Sequence, residues 1–73
     1  MTKSRDRFVA LAQKRVVRAI KDIRLIGNLS NRNNYEYTEE DVNKIVNALD
    51  LELRNLKSRF KQSSQSDEIV FHL

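Results

Sequence analysis

The chain has 73 residues, no cysteine, no proline, one glycine, one histidine and a net charge of +4. So short a chain forms one domain at most and buries little surface, so folds of this size are reinforced by disulfides, metal or self-association. Absence of cysteine closes the first route and most zinc sites, and His72 cannot build a metal centre by itself, so self-association is the expected reinforcement.

The longest uninterrupted apolar run, Phe8 to Ala12, is far short of the roughly twenty residues that cross a bilayer. No charged-then-apolar leader precedes a small-residue cleavage site. The expectation is a soluble cytoplasmic protein without a membrane partner.

From about residue 3 to residue 26, Val9, Ala12, Val16, Ala19, Ile23 and Ile26 recur at spacings of three and four, which predicts a first helix with an a/d seam. Ile20 and Phe8 widen that seam. The charge of the chain is concentrated here. Residues 1–27 carry Lys3, Arg5, Arg7, Lys14, Arg15, Arg18, Lys21 and Arg24 against Asp6 and Asp22, a net +6. With Val9 at heptad position a, Arg7, Lys14 and Lys21 fall at f, Arg18 at c and Arg24 at b, turned away from the seam. Lys14 with Arg18, Arg18 with Lys21, and Lys21 with Arg24 are like-charge neighbours, each costing a few tenths of a kcal/mol. An unneutralised basic row along a rigid helix is the electrostatic footprint of phosphate contacts. The bland reading is a solvated face that keeps a small protein soluble. No aromatic residue is interleaved with the basic positions, so duplex or structured nucleic acid is indicated rather than base stacking on single strands.

Residues 27–37, GNLSNRNNYEY, are a long connection for two helices. Gly27 can close the first helix in the left-handed conformation, which Asn28 also tolerates. Thr38 is a good N-cap, Asp41 sits at the capping-box position, and Glu39, Glu40 and Asp41 place negative charge on the exposed amides of the first turn. Tyr37 and Val42 have the hydrophobic-staple spacing. Asn and Ser side chains can satisfy backbone amides that the turn leaves unpaired. The expectation is an ordered cap over the helix ends, with a recognition loop presenting Tyr35 and Arg32 as the alternative.

From 39 to about 61 the same rhythm returns in Val42, Val46, Leu49, Leu53, Leu56 and Phe60. The charges of residues 38–61 cancel, and Glu40 with Lys44 and Asp50 with Arg54 stand four apart in the favourable order. Each helix would be about 35 Å long at 1.5 Å per residue. The predicted fold is all-α: an antiparallel two-helix hairpin over residues 1–61. Leu11, Val17 and Leu25 on the flank of the first helix, with Ile45, Ala48 and Leu51 on the second, are left over, and a second hairpin packing on them would make a homodimeric four-helix bundle. In helix length and in the alternation of alanine with larger seam residues, this architecture resembles the small plasmid RNA-binding regulators that dimerise as antiparallel helical hairpins. The loop here is much longer, and no motif carries site residues across from that group.

After Phe60 the polar segment KQSSQS leads to DEIVFHL, and residues 62–73 read as a flexible tail. The apolar cluster of Ile69, Val70, Phe71 and Leu73 could dock in a groove of a partner or on its own bundle. Nothing in the chain assembles a catalytic, cofactor-binding or metal site: the clustered carboxylates at 39–41 are explained by the helix start they occupy. The expected function is that of a non-enzymatic regulator contacting nucleic acid through Arg7, Lys14, Arg18, Lys21 and Arg24. The alternative is a protein adaptor or inhibitor using Leu11, Val17, Leu25, Tyr35, Ile69, Phe71 and Leu73.

Overall fold

A computed structural model of the protein describes residues 4–68, with side chains described for residues 4–63. The elements are α1 (Arg5–Gly27), one 3-10 turn (Asn28–Ser30) and α2 (Glu39–Glu68), with no strand among the described residues. The all-α class is therefore as expected. The chain divides into two units, Met1–Glu36 and Tyr37–Leu73.

In the first unit, Ser4 has extended backbone, φ −83° and ψ 95°, and its hydroxyl oxygen accepts a hydrogen bond from the Arg7 amide at 3.1 Å. That bond satisfies one of the donors a helix start leaves open. The Phe8 amide donates to the Ser4 carbonyl at 3.2 Å, closing the first turn. Asp6 lies near the N-terminus and Arg24 near the C-terminus, the signs that suit the helix dipole. Between them stand mostly Ala, Leu, Arg, Lys and Ile, without an interior glycine or proline to interrupt the ladder.

The end of α1 departs from the expected left-handed closure. Gly27 has φ −60° and ψ −30°, and Asn28 has φ −65° and ψ −18°, both right-handed. No residue among those described has positive φ. The helix instead tightens: the Asn28 amide is shared between the Arg24 carbonyl, four residues back, and the Leu25 carbonyl, three back, and a single 3-10 turn follows. Tightening to i→i+3 bonds is an alternative way of satisfying terminal carbonyls, and it needs no glycine. The chain then leaves the helix at Asn31, with φ −71° and ψ 101°.

The connection that follows is ordered by Asn31. Its side-chain oxygen accepts from the Asn33 amide at 3.0 Å, an Asx turn. Its carbonyl accepts from the amides of Asn34 at 3.1 Å and Tyr35 at 3.0 Å. One residue thus absorbs three amides that a loop would otherwise leave to water.

The second unit begins with the expected capping box. Thr38 Oγ1 accepts from the Asp41 amide at 3.1 Å, and the Thr38 amide donates to Asp41 Oδ2 at 2.9 Å. Asp does here what Glu or Gln usually does. Tyr37, just before the cap, is half-buried. The helix runs 30 residues, to Glu68, and so takes in residues 62–68 of the tail expected to be flexible. Extending an existing helix adds one hydrogen bond for each residue fixed, and Gln and Ser carry only a modest propensity cost, so a polar stretch without proline or glycine can propagate it. Ile69, Val70, Phe71 and Leu73 lie outside the described residues.

Candidate nucleic-acid interface

Because α1 is unbroken from Arg5 to Gly27, sequence spacing converts directly into a position on its surface. At about 100° per residue, taking Lys14 as the origin, Arg7 lies at about +20°, Arg18 at about +40°, Lys21 at about −20° and Arg24 at about −80°. The five cations share an arc of about 120°, and Arg7 to Arg24 spans about 25 Å along the axis. The seam of Val9, Val16 and Ile23 is centred on the opposite side. All five basic residues are exposed. None of their side chains is paired with a carboxylate among the described residues. The arc thus carries five cations with no closed ion pair, against Asp6 at its edge (about −80°) and Asp22 just outside it (about +80°), and a linear polyanion could meet the cations without breaking any existing contact.

Arg5 behaves differently. It lies on the seam side of the helix, with its guanidinium carbon 5.8 Å from the centre of the Phe8 ring, a cation–π distance. It does not join the row. On α2 the expected ion pairs Glu40–Lys44 and Asp50–Arg54 are not closed among the described residues, so the charges of residues 38–61 cancel by composition rather than by contact.

The leftover apolar residues of α1 fall within the basic arc itself. By the same count Leu11 lies at about +60°, Leu25 at about +20°, Val17 at about −60° and Ala10 at about −40°. Val17 is 52% and Leu25 62% exposed, while Leu11 is half-buried. The outward face of α1 is thus a mixture of cations and aliphatic groups. In the loop, Tyr35 is about half exposed. Ile69, Phe71 and Leu73, assigned to a docking tail, lie outside the described residues.

Each helix also presents its seam. Val16, Ile20 and Ile23 on α1, and Val46, Leu53, Leu56 and Phe60 on α2, are exposed, and no described residue is buried. A shallow depression along α2 is lined by Asp50, Leu53, Arg54, Leu56, Lys57 and Phe60, all from one helix. It has an apolar floor and a charged rim.

The sequence reading did not single out two organising residues, Ser4 and Asn31. Ser4 stands three residues before the amide it caps, at the start of the first periodic run, which is a readable cap signal. The spacing Asn31-x-Asn33 is an Asx-turn signal, but in a stretch with four asparagines it does not say which one organises the turn. Among the described residues, no helix is long and apolar enough to cross a membrane. No family model, curated protein or solved structure matches the chain.

Proposed function

We propose that the protein is a non-enzymatic binding protein that contacts nucleic acid through α1, with Arg7, Lys14, Arg18, Lys21 and Arg24 neutralising phosphates. The observation that carries this reading is the exposed row of five cations, none in an ion pair among the described residues, on one face of an unbroken helix. The row lies on the side of the helix away from the Val9, Val16 and Ile23 seam, so phosphate contact does not compete with packing on that seam. On α2 only Arg54, Lys57 and Lys61 share a face, a shorter row on a helix that carries seven acids against five bases.

The seams belong to the same proposal. Exposed Val16, Ile23, Leu53, Leu56 and Phe60 call for shelter, and pairing of the two helices as an antiparallel hairpin, with two hairpins forming a four-helix bundle, would provide it. A homodimer would present two basic rows on one particle and raise the number of phosphates met at once.

Fluorescence anisotropy with the full chain and labelled duplexes tests the reading. Phosphate contacts make the logarithm of affinity fall linearly with the logarithm of salt concentration, with a slope of about −0.9 per phosphate on duplex DNA. Reversing charge in the double variant K14E/K21E is expected to remove binding while far-ultraviolet circular dichroism still shows helix. Undiminished binding by that variant, or binding insensitive to salt, overturns the proposal. It would then favour the adaptor reading, in which Leu11, Val17, Leu25 and Tyr35 engage a protein.

A further inference from the structure

The basic face of α1 carries more than charge, and its second component narrows the ligand. A face made only to neutralise phosphate needs cations and tolerates any small polar residue between them. Here the places between them are held by Ala10, Leu11, Val17 and Leu25, with Asp6 the one acid on the arc, at its N-terminal end, and Val17 and Leu25 are more than half exposed. These residues lie within or just beside the arc of the cations and opposite the seam, so core packing on that seam does not account for them; a second hairpin packed on them would cover the same face, so groove contact requires that any dimer close through the seams instead.

We propose that α1 enters the major groove of B-form duplex DNA, with Lys14, Arg18 and Lys21 reaching phosphates and guanine edges and Val17 and Leu25 contacting thymine methyl groups. This rests on the nucleic-acid reading above and names its ligand. The B-form major groove is about 12 Å wide and admits an α-helix, whereas the A-form major groove of duplex RNA is too deep and narrow for side chains to read. The groove floor exposes two chemistries: guanine O6 and N7 acceptors, which Lys and Arg recognise, and the thymine C5-methyl group, which aliphatic side chains recognise. A helix surface that mixes cations with short aliphatic groups over about 120° is complementary to that floor and its phosphate walls together. Lys14, Arg18, Lys21 and Leu25 stand at spacings of four, three and four, so they form one continuous stripe. Val17 and Arg24 flank that stripe on one side and Leu11 on the other.

The test uses the full chain and three random-sequence pools at equal salt: duplex DNA, duplex RNA and single-stranded DNA. Duplexes selected from the DNA pool are then remade with deoxyuridine in place of thymidine, which removes only the methyl group. Duplex DNA is expected to bind at least about tenfold tighter than duplex RNA, the discrimination a groove that shuts out the helix imposes. Methyl removal at a contacted position is expected to weaken binding about fourfold, the worth of one buried methyl-sized group. Val17→Ala and Leu25→Ala, both at exposed positions and checked for helicity by circular dichroism, are expected to keep the salt slope and lose the response to the methyl. Equal or tighter binding of duplex RNA, or indifference of every selected duplex to methyl removal, overturns groove insertion and leaves phosphate contact standing. Binding to none of the three pools overturns both readings.

Discussion

Thr38 and Asp41 hold each other reciprocally: the hydroxyl of one accepts from the other's amide at 3.1 Å, and the carboxylate of the other accepts from the first one's amide at 2.9 Å. Both bonds are exposed to water, so their worth lies in starting α2 at a defined residue rather than in burial. Replacing Thr38 with Ala removes one bond and leaves the amide of residue 41 to solvent, which is expected to cost about 1 kcal/mol of helix stability. Asp41→Glu, with a longer arm and the more usual capping-box residue, is expected to be near neutral. Thermal melts followed by circular dichroism at 222 nm separate the two; equal loss in both variants would show that the cap geometry, not the acceptor, matters.

Gly27 supports a prediction opposite to the one its residue type suggests. Its backbone is right-handed helical, and a Cβ built on it meets nothing within 4 Å. Alanine therefore fits both the conformation and the space, while it narrows the freedom of the unfolded chain. Gly27→Ala is expected to stabilise the protein by about 0.4–1 kcal/mol. Destabilisation measured in urea would mean that the residue is left-handed in solution and that the helix closes there by the usual glycine route.

That contrast shows where sequence pattern was informative. Both helices were legible because seam residues such as Val9, Val16 and Ile23, or Val46, Leu53 and Phe60, repeat over many turns, and a long periodic signal outweighs local ambiguity. The start of α2 was legible to the residue because Thr38 and Asp41 are a matched pair. The end of α1 was not: the presence of glycine at a helix end suggests one closure, but a 3-10 turn satisfies the same carbonyls, and the choice depends on how the Asn31 turn continues the chain. The end of α2 was missed because polarity was read as a stop, although Gln62, Ser63 and Ser64 only weaken propagation. The basic row was legible in full from spacing. Its mixture with Val17 and Leu25 follows from the same register, since Leu25 shares a heptad position with Arg18 and Val17 with Arg24; what the structure adds is that both side chains are more than half exposed.

Asn31 is the residue on which the connection depends. Its side-chain oxygen takes the Asn33 amide at 3.0 Å while its carbonyl takes the amides of Asn34 and Tyr35. Asn31→Ala keeps the carbonyl but loses the Asx turn, and is expected to cost about 0.5–1 kcal/mol locally. Asn31→Asp retains an acceptor at the same place and is expected to preserve the turn. Amide hydrogen exchange by NMR reads this directly: faster exchange at residue 33 in the alanine variant alone is the expected pattern, and unchanged exchange in both would remove the side chain from the account.

Leu53 provides the clearest check on the proposed assembly. It sits in the middle of the α2 seam and is 62% exposed in the single chain. On an isolated helix, Leu53→Gln is a surface change and is expected to alter stability by no more than about 0.5 kcal/mol. In a bundle core the same change buries an amide without a partner and removes an apolar contact, at a cost of about 2 kcal/mol or more. Self-association also links stability to concentration, so the melting temperature of the unmodified protein is expected to rise as the protein is concentrated, and that rise is expected to shrink in the variant. Sedimentation equilibrium over the same range should show a dimer that Leu53→Gln weakens. A single copy at every concentration, with a melting temperature indifferent to both dilution and the substitution, would leave the seams without a partner of this chain's own kind and hand them to a different protein.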